Sequence, residues 1–179
     1  NEIIIFGDDD DIWLPDRVYE IKNALTKYHP CLVRHLHKDL KNGVIYDCPK
    51  RYSLSPSLFL IGTGNLLGGG SNFAGSLSCF DSIKFNESLN YCEDWEFWIR
   101  ALLSKIKIIS IKKPLVIYRS HENRMTNSYF KNYIYETKVR LFFISDIFLL
   151  LLGLILGFLK STFRFIILDL LKSLLKLKR

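Results

Sequence analysis

Methionine occurs once, proline five times and tryptophan three times in 179 residues, and the four cysteines include no Cys-x-x-Cys pair. A zinc finger or ribbon needs paired Cys or His at short fixed spacing, so that class is excluded. Cys31, Cys48, Cys79 and Cys92 read instead as small buried hydrophobes in a reducing compartment. The glycine-rich run Gly68-Gly69-Gly70-Ser71-Asn72 has neither P-loop nor Rossmann spacing. Its position suits a ligand-lining loop or an ordinary surface loop, because glycine lets backbone approach a ligand closely. No RNA- or DNA-binding motif is present, although the net charge is +7. That charge is concentrated: Lys160, Arg164, Lys172, Lys176, Lys178 and Arg179 face only Asp169, leaving +5 on the last twenty residues and +2 elsewhere. Cations interleaved with Leu and Ile mark a membrane surface of anionic lipids rather than a nucleic-acid groove.

A long uninterrupted apolar run is also missing. Leu141 to Leu159 is broken by Ser145-Asp146 and is just long enough to span a bilayer, which takes about 20 residues. The stretch from Phe163 to Leu177, apolar with regularly placed cations, reads as an in-plane amphipathic helix.

What the chain does have is four consecutive acids. Ile3-Ile4-Ile5-Phe6 leads through Gly7 into Asp8-Asp9-Asp10-Asp11-Ile12-Trp13-Leu14-Pro15. Adjacent carboxylates repel, so an apolar strand that delivers them to its tip calls for a divalent cation or a metal-bound phosphate. A solvated acidic turn ahead of a helix is the bland alternative. A calcium-stabilised module is another, but a calcium loop alternates its ligands and ends in a bidentate Glu, which this segment lacks. Pro15 suits a first helical turn, and Val18, Ile21, Leu25 and Tyr28 follow at helical spacing. Residues 31–36 and 44–46 read as strands around the tight-turn pair Asn42-Gly43. Further on, Glu93-Asp94 precedes Trp95, Trp98, Ile99 and Leu102 on one helical stripe, where Asp94 is either a helix cap or a functional carboxylate. Two strand-like runs, 106–111 and 115–118, flank Lys112-Lys113-Pro114, and Arg119, His121 and Arg124 then form a phosphate-attracting cluster.

An apolar strand followed by Asp-x-Asp-Asp-Ile-Trp-Leu-Pro resembles the metal-binding segment of family 2 glycosyltransferases. A second stretch, from the small-residue segment Asn72-Phe73-Ala74-Gly75-Ser76 through Phe85-Asn86-Glu87 and Glu93-Asp94-Trp95 to Arg100, is similar to that family's second signature, and Tyr118-Arg119-Ser120-His121 to its Tyr-Arg-x-His ending. Gly7 departs from the larger apolar residue common before the acids. The resemblance implies a GT-A α/β fold, a mixed sheet flanked by helices, with its N-terminal βα units upstream of Asn1. It implies a partial catalytic domain over residues 1–128 and a membrane-associated helical tail over 129–179. It further implies Mn²⁺ or Mg²⁺ held by Asp10 and Asp8, Asp94 as catalytic base, and Asp8, Glu93 and Arg119 contacting substrate. His121 would complete the metal or diphosphate site, while the residues alone fit simple hydrogen bonding. The expected reaction is inverting transfer of a sugar from a nucleotide-diphosphate donor to a glycan or lipid-linked acceptor hydroxyl. The expected setting is envelope polysaccharide or lipopolysaccharide synthesis at the cytoplasmic face of a bacterial inner membrane. An inactive membrane-anchored remnant and a non-enzymatic metal-binding module are the competing readings.

Overall fold

The computed structural model describes residues 2–47, 65, 67–119, 129–144, 151–159, 162–163 and 166. In chain order these form β1 (Ile3–Ile5), β2 (Ile12–Trp13), α1 (Arg17–Tyr28), β3 (Leu32–Lys41) and β4 (Val44–Asp47). A 3₁₀ turn (Gly70–Asn72) leads into β5 (Phe73–Ser76) and α2 (Leu77–Ser82), followed by α3 (Glu93–Leu103), β6 (Ile108–Arg119) and α4 (Tyr129–Phe143).

The six strands make one mixed sheet in the order β1-β5-β3-β6-β2, with β4 also paired to β3. Only β3 and β6 run parallel; the other pairs are antiparallel. The central strands are covered on both faces, and strand alternation divides their side chains between two cores. Leu32 and Phe73 enter a core with Phe80, Phe97 and Trp98, under α2 and α3. Their neighbours Val33 and Ala74 enter the opposite core with Ile21 and Leu25 of α1. A one-residue slip of β3 would exchange these sets, which is why its register is firmly specified.

Local chemistry explains the connections. Asn42 and Gly43 both take positive φ, at 52° and 77°, which a two-residue hairpin turn between β3 and β4 requires. The buried stripe of α1 is Arg17, Ile21 and Leu25, one residue every helical turn, whereas Val18 is 49 % exposed. The two strand-like runs expected around Pro114 are a single strand, β6. Its register against β3 shifts at this point: Ile111 faces His35 and Pro114 faces Leu36, so Lys112 and Lys113 are extra. The bulge accommodates a residue that lacks an N–H. Lys113 then reaches the start of α1, bonding Asp16 at 2.6 Å and Glu20 at 2.9 Å.

Helix α4 packs onto the first core through the fully buried Val139. Its Arg140 is also fully buried, stacked 5.1 Å over the Trp95 ring and paired with Glu136 at 3.4 Å. Residues 151–159 are helical, and Phe158 meets Tyr133 of α4 edge-on at 6.3 Å. Among the described residues no helix is long and apolar enough to cross a membrane. The cations from Lys160 onward, like Ser145-Asp146, lie outside the described residues.

Candidate active site

The acidic loop leaves β1 and turns back at once. Asp11 N–H donates to the Asp8 carbonyl at 3.3 Å, which folds the run so that its side chains converge. One carboxylate oxygen from each of Asp8, Asp10 and Asp11 lies within 4.8 Å of the others. Asp8 and Asp10 are thus together as expected, and Asp11 joins them. Asp11 Oδ1 accepts the Arg119 backbone N–H at 3.2 Å, while its buried Oδ2 has no hydrogen-bond partner among the described residues. An anionic oxygen left bare in a buried position is costly unless a cation meets it, so this donor set fits a hard divalent ion.

Trp13 dictates the glycine at position 7. Its indole lies across Gly7, and a Cβ there would stand 2.7 Å from the ring. Trp13 in turn lies beneath the Arg17 guanidinium, 4.0 Å from it. Arg17 is completely buried, and its Nη2 donates to the Phe6 carbonyl and, at 2.8 Å, to the Ser71 carbonyl. Burial pulls its pKa down to about 10 against the pull of Tyr118, Asp11 and Asp8, so it remains charged at neutral pH. Arg17 Nε faces His35 Nε2 at 3.3 Å, and His35 Nδ1 faces the Leu36 carbonyl at 2.8 Å. Because a guanidinium only donates, His35 Nε2 must be the bare acceptor and Nδ1 the protonated nitrogen. Burial takes His35 down to about 4; its bond to Leu36 opposes this, and Arg17, Arg34 and His37 reinforce it.

The glycine-rich run joins the two acidic segments. Asp8 N–H donates to Ser71 Oγ at 2.7 Å. A Cβ on Gly70 would stand 3.1 Å from Asp8 Oδ1, and one on Gly69 would stand 3.4 Å from Asp94 Oδ2 and 3.5 Å from Tyr118 Oη. One dipeptide therefore separates the acidic loop from the start of α3, and side chains there would fill the space between them. Trp98 Nε1 anchors this loop by donating to the Gly68 carbonyl at 3.1 Å, and Asn65 Nδ2 donates to the same oxygen at 2.7 Å. Asn72 completes the wall, donating to the His35 carbonyl at 3.0 Å and accepting from the Tyr118 hydroxyl.

Asp94 is not the cap of α3. The residue preceding the helix is Cys92, at φ 60° and without a side-chain cap bond. Asp94 lies inside the first turn and accepts its neighbour's N–H, that of Trp95, at 2.6 Å. Burial pushes its carboxyl up to about 7 and Glu93 adds repulsion, outweighing the bonds from Trp95, Asn65 and its own N–H that hold it down. A carboxylate of that basicity is suited to taking a proton near neutral pH.

The structure brings Asp8, Asp10, Glu93, Asp94 and the Arg119 backbone to this region, while His121 and Arg124 lie outside the described residues. Sequence reasoning left Asp11 out of the ligand set and passed over Arg17, Asn72 and Tyr118. Arg17 had a signal, since it occupies the apolar stripe of its helix at i−4 from Ile21. Asn72 and Tyr118 lay inside stretches already singled out, the glycine-rich run and the Tyr-Arg-x-His segment, but nothing local marked those two side chains as partners.

The architecture is a mixed α/β sheet covered by helices on both faces. No family model matches the sequence, and no curated protein does. Among solved structures, that of S. aureus TarS 1-349 in complex with UDP-GlcNAc is similar, with a TM-score of 0.55 and 16 % identity. The match covers 81 % of this chain and 44 % of that one, so the present chain spans less than half the length of its neighbour.

Proposed function

We propose that this chain is the acceptor-activating and metal-binding part of an inverting glycosyltransferase that uses a nucleotide-diphosphate sugar. The observation that carries the reading is the Gly69-Gly70 dipeptide, which lies between the two acidic segments: a Cβ on Gly69 would meet Asp94 and one on Gly70 would meet Asp8. Two acidic groups of different character, a cluster of three aspartates and the more basic Asp94 beside Glu93, thereby lie on either side of one short loop. The nucleotide-sugar donor is supported by the neighbouring fold, which binds UDP-GlcNAc.

The residues divide the work by charge. Mn²⁺ or Mg²⁺ held by Asp8, Asp10 and Asp11 would supply the positive charge that neutralises a departing diphosphate. Asp94 takes the proton of the acceptor hydroxyl as that oxygen bonds to the anomeric carbon and the bond to the diphosphate oxygen breaks. Attack from the face opposite the leaving group inverts the anomeric centre. Burial makes Asp94 basic and Glu93 adds to this by repulsion; the same Glu93 would orient donor or acceptor hydroxyls. Arg119 stands beside the acids through its backbone, and with His121 it offers positive charge to the diphosphate. The acceptor we propose is a glycan or lipid-linked hydroxyl presented at the cytoplasmic face of a bacterial inner membrane, reached through the basic tail on anionic lipids. Envelope polysaccharide synthesis is the corresponding process.

The test is release of nucleoside diphosphate from a panel of nucleotide sugars by the full-length protein, with and without Mn²⁺. The reading expects metal-dependent release that Asp94→Asn lowers about 10²-fold or more while donor binding persists. Release that survives complete chelation, or an unchanged Asp94→Asn variant, overturns it.

A further inference from the structure

We propose that Arg17 is a positioning residue for the metal-binding loop, locking that loop to the glycine-rich run so that Asp8 keeps a fixed place relative to Asp94. The inference rests on the transferase reading and adds a residue that neither acidic segment contains.

Four observations converge on Arg17. Its Nη2 is shared between the carbonyls of Phe6, two residues before Asp8, and Ser71, the residue whose hydroxyl accepts the Asp8 N–H at 2.7 Å. One nitrogen therefore ties together the backbones on both sides of the Asp8–Ser71 contact. The guanidinium plane is held in turn: Trp13 lies 4.0 Å below it and His35 Nε2 accepts from Nε at 3.3 Å. His35 is itself fixed through Leu36, and its carbonyl receives Asn72 Nδ2 at 3.0 Å, so the clamp extends into the far end of the same loop. Finally, Arg17 Nη1 is fully buried with no acceptor among the described residues. A residue kept only for stability would satisfy that nitrogen or be replaced by an apolar side chain, since an orphaned buried donor costs about 1–3 kcal/mol. Geometry is what the arginine fork supplies here: Lys carries the same charge but cannot span the two carbonyls and the imidazole in one plane.

Groups that orient metal ligands without touching the metal change affinity about 10- to 100-fold when removed. Mn²⁺ binding to the full-length protein, followed by electron paramagnetic resonance without substrate, is the direct readout. Arg17→Lys, which keeps the charge and loses the fork, should weaken Mn²⁺ at least about tenfold. It should also lower kcat more than it raises the donor KM. Arg17→Met should weaken binding as well, despite removing a cation close to the acids. Gly70→Ala approaches the same joint from the other side, pressing its new methyl on Asp8 Oδ1 with Arg17 untouched, and should reproduce the loss if either arginine variant fails to fold.

Unchanged Mn²⁺ affinity in Arg17→Lys with a lowered Tm assigns Arg17 to stability alone and overturns the proposal. Tighter binding in Arg17→Met with no change in Arg17→Lys makes it a mere counter-charge and also overturns it, as does wild-type affinity in Gly70→Ala. Failure of the wild type to bind Mn²⁺ sinks the transferase reading along with the inference, whereas normal wild-type binding with unaltered variants sinks the inference alone.

Discussion

On the transferase reading, replacing Asp94 by Asn should lower nucleoside diphosphate release about 10²-fold or more and, at alkaline pH, make the protein more stable. In the folded chain burial pushes this carboxyl up to about 7, with Glu93 adding to the rise. In the unfolded chain an aspartate titrates near ~3.9. Between those values the folded state holds a proton that the unfolded state has released. Stability contributed by the protonated group is therefore complete below the unfolded value and is lost as pH rises through the folded one. Three pH units correspond to about 4 kcal/mol at most, and partial solvent access of the side chain brings the working figure to ~2 kcal/mol. An amide has no charge to bury, and its oxygen can still accept the Trp95 N–H. Urea unfolding followed by the fluorescence of Trp95 and Trp98, both buried in α3, reports the difference. The two proteins should be nearly equal at pH 4, and Asp94→Asn should be ~2 kcal/mol more stable at pH 8. A difference that does not vary with pH, or a less stable variant at pH 8, would refute the argument that Asp94 is a desolvated base. So would near wild-type turnover, because the same desolvation is what makes the group basic enough to accept a proton.

Other perturbations test separate parts of the site. Asp10→Asn in the full-length protein should abolish transfer and lower Mn²⁺ affinity with little change in Tm; full turnover at saturating metal would contradict the assignment. His35, held down to about 4 by burial, makes the opposite contribution to that of Asp94: stability should fall as pH drops from ~6.5 to ~4, by up to about 3 kcal/mol. A His35→Gln variant with an equally steep acid limb in urea titrations would show that another group is responsible. Gly7→Ala should expel Trp13 from its place over the loop, since the added methyl would lie 2.7 Å from the indole, and a variant with unaltered Trp13 fluorescence and turnover would contradict this. Removing residues 160–179 should weaken co-sedimentation with anionic vesicles and spare Mn²⁺ binding, each cation being worth about 1 kcal/mol near such a surface. Retention of full vesicle binding would exclude the basic tail as the attachment.

Much of the site was legible in the chain because its chemistry is local. Four adjacent acids after an apolar strand, and an acid pair opening an amphipathic helix, carry their meaning in short windows, and both are placed as those windows imply. The turn at Asn42-Gly43 is equally local. What misled was punctuation: Pro114 reads as a break between strands, yet it sits in a bulge that absorbs its missing N–H, and β6 continues through it. Arg17 is the converse case. Its place at i−4 from Ile21 puts it on the apolar stripe of α1, but only the convergence of Phe6, His35 and Ser71 on it shows why an arginine is buried there.

The sequence by itself determined the two acidic segments, Asp8 to Asp11 and Glu93-Asp94, and the strand and helix that carry them, because alternation, helical spacing and charge crowding act over a few residues. Only the tertiary structure decided that Ile3 pairs with Ser76, that the glycine-rich run lies between Asp8 and Asp94, and that Asp94 is basic. Those outcomes depend on contacts between distant parts of the chain and on the exclusion of water by packed neighbours, and neither is a property of any short stretch of sequence.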